Sequence, residues 1–375
     1  MRIAYVHKRW SLQGGTERHL VGIATWMAAN GHEVHVFANR REAELPKGIV
    51  FHKIPILRLG STARILSLAY FADRRVRPAD FDVVQGFGKT IRHDVFRAGG
   101  GVHQAYLERV FGARARLMAW LPKHWAQLSI ERRTFGHGNF RRIIANSDMA
   151  KAEILRFYPR VPAEKMVVIR NGVDLERFHP RRRDEVRRRI RGSLGVPPEA
   201  PLALFVGTGF ARKGLDTLLA ALQALGSAAP ALAVAGKDEG AGGPGAGTMS
   251  GRARFLGSRS DVEDLYAAAD LFVFPTRYDP SANVCLEALA SGLPVVTTTA
   301  NGAAEILEEG VTGSVVPPDD PQALAASIRF FLENRRFDAA RPACRAAAER
   351  HSIDANARAT LELYEDVVRE KKGGG

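Results

Sequence analysis

The sequence predicts an α/β protein built from two Rossmann-like, doubly wound domains, and three observations carry that prediction. At 375 residues the chain exceeds what one hydrophobic core comfortably fills and suits two domains of ordinary size. A strand–helix–strand pattern opens it, which favours a parallel sheet. A second α/β pattern begins at Leu202, after an arginine-rich stretch.

The elements follow in order. Arg2 to His7 is a short apolar strand. The loop from Ser11 to Glu17 holds Gly14-Gly15, a helical pattern runs from Arg18 to Asn30 and stops at Gly31, and Val34 to Phe37 is the next strand. Val83 to Gly86, Arg142 to Asn146 and Val167 to Arg170 read as later strands of the same sheet, with Asn171-Gly172-Val173-Asp174 closing this half. In the second half, strands are expected at 202–207, 231–236, 254–257, 271–275 and 294–297. Helices are expected between them at 214–225, 262–269 and 282–291, and a long helix closes the chain at about 355–372. Gly240 to Gly251, with six glycines, reads as a flexible loop without a core of its own.

Composition and charge narrow the class. With 46% hydrophobic and 25% charged residues, and no run of 18 apolar residues, the chain reads as a soluble globular protein. Its start lacks the apolar region of a secretory signal. Cys285 and Cys344, the only cysteines, sit in helix-like contexts and read as small core residues in a reducing compartment, so a cytoplasmic location is expected. The net charge of +14 is uneven: residues 1–180 carry 30 Lys and Arg against 15 Asp and Glu, whereas residues 192–375 carry 17 against 23. A basic first half points to an anionic partner, such as a membrane leaflet, a phosphorylated glycan or nucleic acid, with plain solubility as the alternative. Between His103 and Phe135, Tyr106, Phe111, Met118, Trp120, Trp125 and Leu128 interleave with Arg109, Arg114, Arg116, Lys123, His124, Arg132 and Arg133. That mixture suits either an interfacial segment on an anionic membrane or an ordinary amphipathic helix packed on the first domain.

Four places could carry chemistry. Gly14-Gly15 opens the first helix, where glycines admit close backbone approach and unpaired N–H groups favour an anion; a tight turn is the plainer account. The spacing is not GxGxxG, which argues against a dinucleotide fingerprint. Arg212-Lys213, at the carboxyl end of the strand 202–207, lies where ligands bind in open α/β sheets. Two cations at a helix N-terminus oppose its dipole, so a bound diphosphate explains them better than solvated charge does. Asp279 precedes the helix that starts near Ala282, and Glu287 lies about a turn and a half inside it among Val284, Leu286 and Leu289. A carboxylate there needs sugar or ribose hydroxyls, or an arginine, to offset its burial. His103 follows Gly99-Gly100-Gly101-Val102 and could reach a sugar hydroxyl, or be a loop histidine without special duty.

Taken together, Gly14-Gly15, Asn171-Gly172-Val173-Asp174, Arg212-Lys213-Gly214 and the acid-x7-Glu stretch from Asp279 to Glu287 resemble the retaining GT-B glycosyltransferases of family 4. Ala267-Ala268-Ala269-Asp270 and Ser291-Gly292-Leu293-Pro294-Val295 fit the same pattern, which is similar, within that family, to the lipopolysaccharide core glucosyltransferase I type. The resemblance implies two Rossmann-like domains with a cleft between them: residues 1–170 with the helix at about 355–372 for the acceptor, and residues 171–354 for a nucleotide-sugar donor. It implies that Glu287 holds the ribose, that Asp279 contacts the donor hexose, and that the N–H groups of Asn283 and Val284 approach the sugar or diphosphate. Arg212 and Lys213 would stabilise the leaving diphosphate, helped by Gly15, in place of a metal ion, and His103 would lie near the donor sugar.

Further implications are retention of anomeric configuration by a front-face route, no cofactor besides a UDP-sugar co-substrate (glucose favoured), and a lipopolysaccharide-core or other glycolipid acceptor at the inner leaflet. The family usually has glutamate at the position of Asp279, which bears on the hexose. A GDP-sugar hexosyltransferase of cell-surface polysaccharide synthesis is the alternative within the family. A two-domain sugar-nucleotide epimerase, a nucleic-acid-binding protein and a catalytically silent sensor rank lower, because none calls for Arg212-Lys213 together with Asp279 and Glu287, and no nucleic-acid module is present.

Overall fold

The computed structural model describes residues 1–136, 138, 140–238 and 252–373. The glycine-rich stretch Gly240 to Gly251 lies outside the described residues. Two compact units are present, Met1–Asn171 with Ile353–Gly375, and Gly172–Ser352.

The first unit is a seven-stranded parallel sheet of β1 (Arg2–Val6), β2 (Glu33–Ala38), β3 (Ile49–Lys53), β4 (Val83–Phe87), β5 (Val95–Arg97), β6 (Arg142–Ala145) and β7 (Met166–Val168), in the order β3-β2-β1-β4-β5-β6-β7. Strand order reverses at β1, where Ile3 pairs with Val34 on one side and Val83 on the other. Ile3 to Val6 are all buried, as strands covered on both faces must be. On one face, helix α1 (Gly15–Ala29) packs Leu20, Ile23, Ala24 and Met27 against Ile3 and Tyr5. The closing helix Ile353–Gly373 adds Ala357, Tyr364 and Val367 to that core. On the other face Ala4, Val6 and Phe37 meet Leu68 and Ala72. Helices α2 (His103–Phe111) and α3 (Pro122–Gly136) stand after β5. No helix among the described residues is long and apolar enough to cross a membrane.

The second unit is a six-stranded parallel sheet of β8 (Leu202–Val206), β9 (Ala231–Ala235), β10 (Ala253–Phe255), β11 (Leu271–Phe274), β12 (Val295–Thr298) and β13 (Gly313–Val316), in the order β10-β9-β8-β11-β12-β13. Its order reverses between β8 and β11. Helices α4 (Arg182–Ser193), α5 (Leu215–Leu225) and α6 (Asn283–Ala290) belong to this unit. The strands come close at their carboxyl ends: a Cβ on Gly236, whose φ is +133°, would lie 1.7 Å from the Gly207 carbonyl oxygen, so only glycine fits there.

Five strands go beyond those expected from the sequence: β3, β5, β13 and the short parallel pair Arg9–Trp10 and Arg40–Arg41. Most of the arginine-rich stretch 181–191 is bound within the second unit. Asp270 is 1% exposed and faces Arg183 at 3.0 Å, Arg187 at 3.0 Å, Arg341 at 3.4 Å and Arg191, while its Oδ2 also accepts the Leu202 N–H at 3.0 Å. Arg191 is itself buried and donates to the carbonyls of Ala268, Pro197 and Ala200. Arg182 and Arg189 grip Asp264. These bonds tie α4 to the helix Val262–Ala268 and to the start of β11. Removing the carboxylate would leave buried guanidinium groups facing one another. Asp270→Ala should therefore destabilise the second unit by about 3–5 kcal/mol, read as a lowered urea midpoint, and a loss below about 1 kcal/mol would contradict this account.

Candidate functional site

The second unit gathers six of the expected residues at the carboxyl ends of β8 and β11. Gly207 to Gly214 forms the loop between β8 and α5. Gly214, the residue before α5, has φ +72°, and a Cβ there would lie 2.0 Å from the Pro275 carbonyl oxygen. Glycine is thus required for the α5 loop to press against the end of β11. The two loops are also joined by hydrogen bonds, since Arg277 N–H donates to the Arg212 carbonyl at 2.9 Å and Thr276 Oγ1 to the same oxygen at 3.2 Å.

Lys213 is buried, with its ammonium 4.8 Å from the centre of the Phe274 ring, and forms an ion pair with Asp279 Oδ2. Burial pushes the Lys213 ammonium below the ordinary lysine range, opposed by the Asp279 carboxylate and reinforced by the Arg212 charge. Arg212 is a third exposed; its guanidinium donates to the Tyr278 carbonyl at 3.0 Å and lies 3.9 Å from Asp279 Oδ2. Both expected phosphate-binding cations thus converge on one carboxylate.

Asp279 is held in turn by the loop after β12. Its N–H donates to the Ala300 carbonyl at 3.0 Å, and its carbonyl accepts the Gly302 N–H at 2.9 Å. Asn301, buried between them, accepts the N–H groups of Ala282 at 3.2 Å and Ala303 at 3.1 Å and donates to Thr297 Oγ1 at 2.9 Å. Asn301 was not among the expected residues; the signal for it is Asn-Gly directly after a strand, a turn signature at a ligand-binding edge. Helix α6 begins at Asn283, with Val284 next, behind Ala282, which has no side chain able to cap it. Glu287 is 5% exposed and accepts a hydrogen bond from the buried Tyr266 hydroxyl at 3.1 Å. Tyr266 is a second residue the sequence pattern did not single out, because it lies 21 positions away on another helix. Cys285 is buried, and burial pushes its thiol up to about 12, so it behaves as the small core residue expected.

The remaining expected residues lie in the first unit. Gly14 precedes α1 at φ +99°, with Gly15 the first helical residue. A Cβ on Gly14 would lie 2.5 Å from Glu17 Oε2. Glu17 is buried and receives Arg9 at 2.9 Å and Lys8 at 3.1 Å. Burial works to raise its carboxyl, but the His7 hydrogen bond and the Lys8 charge together hold it well below the ordinary range.

His103 begins α2 rather than lying in a loop. Its N–H donates to Glu131 Oε2 at 2.6 Å and its Nε2 meets His124 Nδ1 at 2.9 Å. Burial, then the Lys89, His124 and Lys123 charges, push its imidazole down to about 3, so it is neutral. Glu131 also accepts the Tyr158 hydroxyl at 2.8 Å, and burial pushes its carboxyl up to about 7. Lys89, just past β4, bonds Gln127 and is pushed down to about 8, chiefly by burial. The interleaved segment divides. Tyr106, Phe111, Met118 and Leu128 pack with Leu107 and Ala115 into a small core, while Leu117, Trp120, Leu121 and Trp125 face solvent, Trp120 at 80% exposure.

Among the described residues no group of three or more His, Cys, Asp or Glu is placed to hold a metal ion. The second unit's geometry can neutralise a diphosphate with two cations and present a buried carboxylate to hydroxyl groups beside it.

Comparison with known proteins agrees with that chemistry. The family model for glycosyl transferases group 1 matches residues 200–334, and that for glycosyltransferase family 4 matches residues 13–177. The chain is 27% identical over 322 residues to the lipopolysaccharide glucosyltransferase WaaG of Escherichia coli (strain K12), covering 84% of this chain and 85% of that one. A crystal structure of WaaG, a glycosyltransferase involved in lipopolysaccharide biosynthesis, matches over the full length of both chains with a TM-score of 0.77 and 26% identity. Anabaena HepE in complex with UDP-glucose shares the fold, with a TM-score of 0.69 and 22% identity over 98% of this chain and all of that one.

The first unit's titrating groups set a pH dependence. His93 and His103 are held near 3 against an ordinary 6.5, so the unfolded chain binds their protons first and stability is lost as pH falls below 6.5. Glu131, raised to about 7 from 4.5, acts oppositely: its contribution is full below 4.5 and is lost as pH rises through 7. His19, His32, His52 and His124 of the same unit are lowered too, so the histidines outweigh the one carboxyl and stability rises from pH 5 toward 7. Thermal unfolding across pH 5–7 checks this, with Glu131→Gln expected to steepen the rise; a flat profile would contradict it.

Proposed function

The chain is a GT-B glycosyltransferase of the group 1/family 4 kind, and from that premise we propose that it moves a hexose, glucose favoured, from a UDP-sugar to a lipopolysaccharide-core or other glycolipid acceptor. The observation that carries the reading is the convergence of Arg212 and Lys213 on Asp279 at the carboxyl ends of β8 and β11, with the buried Glu287 on α6, the helix that follows β11. The similarity to WaaG supports the acceptor class, and the HepE complex supports UDP-glucose.

On this reading Lys213 and Arg212 face the diphosphate, the first turn of α6 at Asn283 and Val284 turns its N–H groups toward the sugar or phosphate, and Glu287 accepts the ribose hydroxyls. In the first unit, Gly14, Gly15 and His103 are assigned to the donor by family likeness. Transfer retains the anomeric configuration by a front-face route. As the bond from the anomeric carbon to the phosphate oxygen breaks, the acceptor oxygen bonds to that carbon and passes its proton to the departing phosphate oxygen. The protein's contribution is positioning together with stabilisation of the developing diphosphate charge by two fixed cations, which here stand in for a metal ion.

The exposed Leu117, Trp120, Leu121 and Trp125, beside Arg114, Arg116 and Lys123, support docking on the anionic inner face of the cytoplasmic membrane. Unlike five of the arginines of α4, Arg114, Arg116 and Lys123 have no carboxylate bonded to them among the described residues, which fits charge available to lipid.

Two measurements test the proposal. Nucleotide release from UDP-, GDP- and ADP-hexoses, with the glycolipid acceptor present, should be resistant to EDTA and specific for UDP. Lys213→Ala should lower kcat by about 10²–10³-fold, and Glu287→Ala should raise the donor KM by about 10- to 100-fold. Failure to bind or turn over any donor would defeat the reading. Separately, sedimentation with vesicles containing phosphatidylglycerol should show binding that drops at least about tenfold in the Trp120→Ser/Trp125→Ser variant; equal binding by both proteins would contradict the docking surface.

A further inference from the structure

We propose that Arg277 is a positioning residue for the loop that carries Arg212 and Lys213, its guanidinium holding the loops after β8, β11 and β13 to one another. This rests on the reading of Arg212 and Lys213 as diphosphate-binding groups.

Arg277 follows β11, and its side chain reaches out to the ends of two other strands. Its Nε donates to Asp319 Oδ1 at 2.7 Å, in the loop after β13. Nη1 and Nη2 grip the two oxygens of Asp216, in the first turn of α5, at 2.9 and 2.7 Å. Nη1 also donates to the Ala211 carbonyl, while the Arg277 backbone N–H donates to the next carbonyl, that of Arg212, at 2.9 Å. One residue thus holds two successive peptide groups of the cation loop. Four of the five N–H groups of the guanidinium are committed: one on Nε, two on Nη1 and one on Nη2.

This arginine differs from Arg212 in what it faces. Two carboxylates meet its charge, whereas Arg212 donates to the Tyr278 carbonyl and shares Asp279 with Lys213. The planar fork matters too, because lysine is a single point charge that cannot meet both carboxylates and the Ala211 carbonyl in this geometry. Asp319 itself has φ +60°, a left-handed conformation that a non-glycine residue keeps only where its surroundings fix it. Its bond to Arg277 supplies part of that hold. Lys213 comes soon after Ala211, so the peptide that Arg277 grips sets where the ammonium lies over Phe274. Without the guanidinium the loop keeps its contact at Gly214 and Pro275 but loses its hold at Ala211.

The test compares the wild type with Arg277→Lys and Arg277→Gln, and with Asp319→Asn, which keeps the arginine in place. Hydrogen exchange is followed by mass spectrometry on the peptide spanning 207–214, and kcat and KM are measured with UDP-glucose and the glycolipid acceptor. Both Arg277 variants should speed exchange of that peptide by at least about tenfold, with peptides of the first unit unchanged. Both should lower kcat by about 10- to 100-fold, the cost of misplacing a catalytic charge by about 1 Å, with KM moving less than about threefold. Asp319→Asn should shift exchange and kcat in the same directions by about threefold, and it carries the test if the Arg277 variants fail to fold. In Lys213→Ala protein, Arg277→Gln should cost at least about threefold less in kcat than it does alone, because part of what it positions is gone. A general loss of folded protein would cost the same in both backgrounds. Unchanged exchange at 207–214, or equal cost in both backgrounds, would overturn the assignment. Full activity in Arg277→Lys would overturn it as well, making Arg277 a ligand that acts through charge alone. If the wild type turned over no donor, the functional reading would fail while exchange still decided whether Arg277 holds the loop.

Discussion

An ammonium packed against an aromatic ring and nearly out of water is stable only with an opposite charge beside it. Lys213 is in that position, and much of the second unit's carboxyl edge is arranged around it. The left-handed Gly214 lets the α5 loop press against Pro275, which brings the lysine over Phe274. Hydrogen bonds from Thr276 and Arg277 to the Arg212 carbonyl lock that loop to the one bearing Asp279. Asn301, through the N–H groups of Ala282 and Ala303, fixes the start of α6 against the end of β12. Cations, carboxylate and helix start are thereby held together by the protein's own bonds, the kind of fixed arrangement that electrostatic stabilisation of a diphosphate would draw on.

The two units handle charge differently. In the second, Asp270 and Asp264 absorb five of the arginines of α4, and these interactions serve packing. The arginine run therefore contributes little to an outward-facing field despite its length. In the first unit the buried groups after β4 and β5 lean toward neutrality instead: the imidazole of His103 lies far below its ordinary range, Glu131 is lifted to about 7, and Lys89 is lowered to about 8. Desolvation dominates all three, and hydrogen bonds among His103, His124, Glu131 and Tyr158, and from Lys89 to Gln127, meet their polar atoms.

Much of the fold is legible in the sequence because parallel strands covered on both faces are written as unbroken apolar runs, as in Ile3 to Val6 and Leu271 to Phe274. The strands that escape such reading lack the run. β5 is three residues long and includes the buried Arg97, β13 opens on Gly313, and β3 ends in His52-Lys53 at the sheet edge. Arg212, Lys213, Asp279 and Glu287 are recognisable because charged groups stand beside a strand end or inside an apolar helix, where physical chemistry demands a partner. Who the partner is cannot be read locally: Tyr266 reaches Glu287, and Asn301 reaches Ala282, only through the fold. His103 shows the converse. Set after three glycines it reads as a loop histidine, yet it starts a helix with its Nε2 engaged by His124.

Calorimetric titration with UDP and with uridine, on wild-type protein and Lys213→Ala, tests the central claim most directly. The account predicts that the wild type binds UDP about 10- to 100-fold more tightly than uridine, and that Lys213→Ala loses most of that margin while its uridine affinity is unchanged. Equal affinities of the wild type for UDP and uridine, or an undiminished margin in Lys213→Ala, would contradict it.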